Sequence, residues 1–257
     1  MADNRSRYLA CRYPRPDANV KLFCFPWAGG GANFYSNWGK YLPDTIEVHG
    51  VCLAGREGRF NETPYGTLEK LLDDMTVLIK ERSNGKPFAL WGHSLGALLV
   101  YEAACLLKKR DGLEPTHIFV SGTSAPHSEK RKQTTINVKG YTDEEFIGLL
   151  KHFGGTPADI IEDRELVALF LPSLRADYEL LPQISTEPPS KQGMFSCPVD
   201  VFDGKDDAEH DLQAWNDITT GLFSITMLNG GHFYLKEEAN MKKLCNYVTN
   251  ALTGCPM

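Results

Sequence analysis

Long apolar runs are missing from this chain of 257 residues. No stretch approaches the roughly 18 uninterrupted apolar residues that a membrane-spanning helix needs, so no membrane span is expected. The start, MADNRSRYLA, lacks the apolar centre of a secretory signal, and export is not expected either. Positive charge is in short supply: 27 Lys and Arg stand against 33 Asp and Glu, for a formal net charge of −6. Without a basic stripe to neutralise a phosphate backbone, a nucleic-acid partner is not expected. Cys-x-x-Cys and His-Glu-x-x-His are both absent, and the histidines and cysteines form no cluster with metal-ligand spacing. That pattern offers neither a metal site nor a redox pair. The cysteines (Cys11, Cys24, Cys52, Cys105, Cys197, Cys245 and Cys255) are odd in number and widely spaced. Cys24 and Cys52 fall in apolar runs, where a free thiol behaves as a small hydrophobe, so the set reads as reduced residues of a cytoplasmic protein. Nucleotide cradles of the G-x-G-x-x-G or G-K-[ST] type are lacking too, and no cofactor is expected.

What is present is an ordinary globular composition, 42% hydrophobic and 23% charged, in a chain long enough for one large α/β domain or two small ones. Short apolar runs at Lys21–Pro26, Glu47–Leu53, Pro87–Trp91, Thr116–Ser121, Pro198–Phe202 and Leu222–Leu228 predict strands. Between them, helical spacing predicts helices at Thr67–Arg82, Leu95–Lys109 and Glu237–Leu252. Strands alternating with helices imply a mostly parallel sheet covered on both faces. The exception is the span 128–190, which carries helical periodicity at Asp143–His152 and Asp163–Leu181, across Pro172, and no convincing strand. The predicted organisation is therefore an α/β core formed by 1–127 and 191–257, with 128–190 inserted as a helical lid over the sheet edge. Phe146, Leu149, Leu150, Phe153, Leu166, Leu169, Phe170 and Leu171 are the apolar residues that could shelter an alkyl chain beneath it. The basic run Glu129–Lys132 reads as a solvated loop.

Residues 88–100, FALWGHSLGALLV, place a glycine-bracketed serine between a predicted strand and a predicted helix. This is the context of a nucleophile elbow, in which a strained turn holds the serine up and the following helix points its amides at the reacting centre. A serine hydroxyl needs a base, and in this fold the chain order is serine, acid, histidine. His232, in the glycine-flanked LNGGHFYL after the sixth strand, is the candidate base; His210, in DDAEHD, competes but reads as surface. VFDGKDDAEHD offers Asp203, Asp206 and Asp207 as the acid, and position alone does not choose among them, although Asp207 fits a G-x-x-D pattern leaving the strand. An oxyanion hole needs two backbone amides: Leu95 follows the nucleophile, and Ala28, in FPWAGGG, is the natural second donor.

KLFCFPWAGGGANFY, LAGRE, FALWGHSLGALLVYE, FGGTP, LPSLRADYELL, DGKDDAEHDLQAWND and GGHFYL together resemble the type II thioesterases, above all the medium-chain thioesterases of vertebrate fatty acid synthase. The resemblance runs from about Val20 to Leu252. It implies an α/β-hydrolase fold with a helical lid, and hydrolysis of fatty acyl or polyketide acyl thioesters carried by the phosphopantetheine arm of an acyl carrier protein. By matching motif, the nucleophile falls on Ser94, the acid on Asp207, the histidine on His232, and the oxyanion donors on Ala28 and Leu95. A monomer is expected. One departure is Ala54 where Pro-Gly-Arg-Glu is expected. Arg175, in LRAD, is expected to form a lid-to-core ion pair or to meet substrate. Lys130, Arg131, Lys132 and Lys139 are candidates for docking an acidic carrier, or a solvated face. A carboxylesterase or lipase, a proofreading thioesterase and a non-catalytic binding module are the competing readings.

Overall fold

The computed structural model describes residues 7–153, 163–189 and 193–254. The strands are β1 (Leu9–Ala10), β2 (Val20–Phe25), β3 (Ile46–Val51), β4 (Phe88–His93), β5 (His117–Ser121), β6 (Val199–Gly204) and β7 (Phe223–Leu228). They form one sheet in the order β1-β3-β2-β4-β5-β6-β7. Every pairing is parallel except that of β1 with β3. The six predicted strands fall within two residues of those observed. β1 was not foreseen, since two residues carry no periodicity to read.

The helices are α1 (Ala32–Ser36), α2 (Leu68–Ser83), α3 (Leu95–Asp111), α4 (Glu129–Thr134), α5 (Asp143–Phe153), α6 (Arg164–Leu180) and α7 (Glu238–Thr253). α2 begins where Thr67 Oγ1 accepts the Lys70 amide, and it ends where Asn84 turns left-handed at φ 49°. Its buried stripe of Leu71, Leu72, Met75, Leu78 and Ile79 repeats at helical spacing and packs with α3 on one face of the sheet. The opposite face is built from Trp38, Trp91, Phe119 and Phe202 with Leu244 and Val248 of α7. With helices on both faces, every residue of β2 through β6 is buried, which explains the near-continuous apolar runs. Edge strand β7 is half-covered and leaves Ile225 and Met227 exposed.

Helices α4, α5 and α6 lie between β5 and β6, and of these the periodicity implied α5 and α6. They differ from expectation in two respects. Glu129–Lys132 is helical rather than loop, and Arg131 within it is only 7% exposed rather than solvated. Phe146, Leu150 and Leu171 pack into a small core of their own with Val138, Val167 and Leu174, while Leu166 and Leu169 stand exposed. The Phe153 side chain and the GGTP part of the FGGTP motif lie outside the described residues. Cys255 does too; the other six cysteines are free thiols.

Candidate active site

Ser94 sits between β4 and α3 at φ 55°, ψ −120°, a conformation that non-glycine residues rarely adopt. Its amide donates to the Ser121 carbonyl at 2.7 Å, which fixes the turn against the neighbouring strand. The flanking glycines are sterically required. A Cβ on Gly92 would strike the Gly96 carbonyl, and one on Gly96 would strike the Phe25 carbonyl. Apolar strand, tight turn and apolar helix therefore converge on one result: the Ser94 side chain stands on the wall of a cavity of about 340 Å3.

His232 and Asp207 share that cavity. His232 Nδ1 lies 2.8 Å from Asp207 Oδ2, the distance of a charge-assisted hydrogen bond. The acidic turn after β6 and the histidine loop after β7 are joined by backbone: the Asp206 amide donates to the Gly230 carbonyl at 3.0 Å. Gly204 permits the approach, since a Cβ there would collide with the Gly230 and Gly231 carbonyls. Burial alone would raise the Asp207 pKa, but the bond and charge of His232 and the charge of His210 bring it below the usual value. Asp207 is thus held ionised, able to keep the Nδ1–H tautomer of His232 and leave Nε2 free.

The other carboxylates separate cleanly. Asp206 is exposed. Asp203 is buried and bonds His210 Nδ1 through Oδ2 at 2.8 Å, and its Oδ1 accepts the Gly204 amide at 2.9 Å. His210 is therefore not the surface residue its polar flanks suggested. Its side chain is 17% exposed, its Nδ1 is 3.9 Å from Asp207 Oδ2, and it too lines the cavity. Burial would lower its pKa, yet the bond to Asp203 and the charges of Asp203 and Asp207 outweigh that and raise it.

Ala28 and Leu95 both face the cavity, and among the described residues neither amide has a protein acceptor. Leu95 opens α3, whose first amides have no intrahelical partner. The loop carrying Ala28 is held from two sides. Asp177 of α6 accepts the Gly29 amide at 2.8 Å while forming a two-pronged pair with Arg56, at 2.7 Å on each prong. Arg56 also donates to the Gly30 carbonyl at 3.0 Å. Glu57 accepts the Ala32 and Asn33 amides at 2.8 and 3.1 Å. The insertion is thus tied to the core through Arg56 and Asp177. Arg175, the residue expected for that tie or for substrate, instead bonds Asp143 Oδ1 at 2.7 Å and the Tyr141 carbonyl at 2.9 Å within the insertion.

His93, inside the elbow motif, was passed over at the level of sequence. It is fully buried, with Nδ1 2.8 Å from Ser121 Oγ, which is 2.6 Å from the Tyr234 hydroxyl. Burial, then the nearby His232 and His210, hold its pKa well below the usual histidine value. It is a neutral ring whose centroid lies 4.8 Å from that of His232. No spacing rule marks such a residue; only the topology that brings β4, β5 and the His232 loop together does so.

Of the eight apolar residues expected to shelter an alkyl chain, the seven whose side chains are described do not line this cavity. From the insertion its wall takes Arg131, Thr134, Thr135, Ile136 and Tyr178, with Leu181 just beyond α6.

A family model described as a thioesterase domain matches residues 20–252. The chain belongs to the thioesterase family. It is 39% identical over 246 residues to the medium-chain S-acyl fatty acid synthase thioesterase of Rattus norvegicus, covering 96% of this chain and 93% of that protein. It is 37% identical to the gramicidin S biosynthesis protein GrsT of Aneurinibacillus migulanus, over 86% of this chain and 85% of that one. Among solved structures, the type II thioesterase BorB from the borrelidin biosynthetic cluster superposes with a TM-score of 0.79 at 29% identity, covering 96% of this chain and 98% of BorB. The sheet order and the serine-bearing turn of this thioesterase are those of an α/β-hydrolase fold. No helix among its described residues is long and apolar enough to cross a membrane.

Proposed function

We propose that this thioesterase cleaves acyl thioesters on the phosphopantetheine arm of an acyl carrier protein, with Ser94 as nucleophile, His232 as base and Asp207 as its orienting acid. The observation that carries the reading is the 2.8 Å Asp207–His232 bond on the wall that also bears Ser94 and two unpartnered amides. His232 Nε2 takes the Ser94 proton as Oγ attacks the acyl carbonyl, and the Ala28 and Leu95 amides receive the oxyanion. The tetrahedral adduct collapses with departure of the thiol, which takes its proton from His232. A water deprotonated by His232 then releases the free acid and restores Ser94. Helices α4–α6 act as the lid. The fatty acid synthase thioesterase among the relatives supports a fatty acyl substrate, and GrsT and BorB support carrier-bound acyl groups of other biosynthetic assemblies. The cysteines, all free where described, support a reducing cytoplasmic setting. The chain is proposed to act as a monomer.

A second reading has support in the cavity itself. Its 340 Å3 stands near the bottom of the range of about 300–1,000 Å3 typical of small-molecule sites. A compact acyl group fits such a space, which favours clearing short or misplaced acyl groups from a carrier over releasing a long product. Turnover of acyl-carrier-protein thioesters of increasing length, beside a p-nitrophenyl ester of each acid, tests both. Preference for the oxyester throughout would overturn the thioesterase reading, and a rise of kcat/KM with length up to long chains would overturn the clearing role.

A further inference from the structure

Four cationic side chains are buried among the described residues: Lys21, Arg56, Arg59 and Arg131. Three have a carboxylate: Lys21 pairs with Glu47, Arg56 with Asp177 and Arg59 with Glu62. Arg131 has none. The lysines on either side of it are more exposed and do have partners, Lys130 with Glu209 and Lys132 with Glu129. The Arg131 guanidinium makes one hydrogen bond, from Nη2 to the Leu181 carbonyl at 3.2 Å, and the residue forms part of the cavity wall shared with Ser94 and His232. Burial lowers its pKa, with no nearby carboxylate to oppose the effect. The guanidinium carries five donors, only one of which is used, and no Arg131 nitrogen is among the buried atoms left without a partner, so the unused donors stay accessible beside the cavity. The free donors are matched in shape to a pair of anionic oxygens.

We infer that Arg131 is a substrate-specificity residue that receives an anionic group of the substrate, either a carboxylate at the far end of the acyl chain or the phosphate of the pantetheine arm. This rests on the thioesterase reading above and goes beyond it. The position in α4 supports a role separate from chemistry: α4 contributes no group to Ser94, His232 or either oxyanion amide. Thr134 and Thr135, one turn on, also line the cavity, and their hydroxyls donate to the Lys130 and Arg131 carbonyls, which leaves Arg131 to offer charge to that wall.

The test uses the full chain, unaltered and as Arg131→Met and Arg131→Lys, on four thioesters: hexanoyl and adipyl groups, each on 4′-phosphopantetheine and on pantetheine. Removing a charged hydrogen-bond donor is expected to lower kcat/KM by about 10- to 100-fold for the substrates that carry the matching anion, and to leave the others within about threefold. A loss confined to the adipyl pair assigns the site to an acyl carboxylate; a loss confined to the phosphopantetheine pair assigns it to the arm. Arg131→Lys is expected to retain part of the selectivity, since it keeps the charge and loses the fork. An equal fall on all four substrates, or no change on any, overturns the inference and leaves Arg131 as a strut for Leu181. If Arg131→Met does not fold, the unaltered chain still decides. It should favour adipyl over hexanoyl, or the phosphorylated arm over the plain one, by about tenfold or more, and equal rates on all four overturn the inference. Failure of the unaltered chain to turn over any thioester would count against the thioesterase reading instead. In that case the midpoint of thermal unfolding decides the anion site: a rise with adipate or phosphopantetheine that is reduced in Arg131→Lys and absent in Arg131→Met supports it, and no rise overturns it.

Discussion

Replacing Asp177 by Asn isolates the tie between the inserted helices and the loop that carries Ala28. Asp177 is 3% exposed, and its carboxylate holds two guanidinium prongs of Arg56 and the Gly29 amide at 2.7–2.8 Å. The substitution leaves Arg56 a buried cation without a counter-charge, and sets an amide NH2 against one of its donors. Breaking one side of a buried ion pair costs about 3–5 kcal/mol. For a chain of this size each kcal/mol moves the unfolding midpoint by about 2–4 °C, so a fall of roughly 6–20 °C is expected. The catalytic consequence follows from position. Gly29 and Gly30 lose an acceptor and an anchored donor, and the neighbouring Ala28 amide loses its fixed aim. Deleting one oxyanion donor outright costs about 100- to 1,000-fold in kcat; loosening one is expected to cost about 10- to 100-fold. Because the donor acts on the developing oxyanion, kcat should fall while KM hardly changes, and equally for short and long acyl thioesters. Calorimetry and steady-state kinetics read the two effects, with Leu171→Ala as the control. That change removes packing from the insertion's own core (Leu171 is 5% exposed) without touching the tie. If Asp177→Asn lowers the midpoint as Leu171→Ala does and leaves kcat intact, the loop does not depend on the tie and the reasoning fails.

Other outcomes follow from the same geometry. Ser94→Ala should lose thioester hydrolysis and remain folded, and Ser94→Gly should be about 1 kcal/mol more stable than Ser94→Ala in urea, because glycine tolerates φ 55°. Asp207→Asn should lower kcat by about 10,000-fold, since it removes the acceptor that sets the His232 tautomer. Asp203→Asn should keep most activity and lose about 1–3 kcal/mol of stability instead; equal catalytic losses would mean that the two carboxylates are misassigned. His210 has a native pKa above its unfolded value of about 6.5. Its protonation therefore stabilises the fold fully below that value, and the gain disappears as pH climbs through the native pKa. The midpoint gap between the unaltered chain and His210→Gln should narrow with rising pH, and a widening gap would contradict the pairing with Asp203.

How far the sequence could be read depended on how local the cause was. β2 through β6 were legible because a parallel strand covered on both faces is apolar at nearly every position. The elbow was legible because Gly92, Ser94 and Gly96 meet a steric demand within five residues. Spacing left Asp203, Asp206 and Asp207 open as the acid and the motif match named Asp207; the geometry puts Asp207 2.8 Å from His232, while Asp203 bonds His210 and Asp206 is exposed. His210 misled because its charged neighbours Glu209 and Asp211 suggest solvent, whereas its partner Asp203 is buried within the sheet. The tie of Arg56 to Asp177 spans 121 positions in the chain, a separation that no local pattern reports. Of the apolar residues expected to shelter an alkyl chain, Phe146, Leu150 and Leu171 pack into a core of the insertion's own, which helical spacing does not distinguish from a surface facing substrate.

The most direct test of the mechanism is to look for the covalent acyl-enzyme. Rapid quenching of the protein with a carrier-bound or coenzyme A acyl thioester, followed by proteolysis and mass spectrometry, should place the acyl group on Ser94. The adduct should form within the first turnover of the unaltered chain, and be missing from Ser94→Ala. Turnover without any adduct on Ser94, or an adduct on one of the free cysteines that persists in Ser94→Ala, would contradict the assignment of the nucleophile and everything built on it.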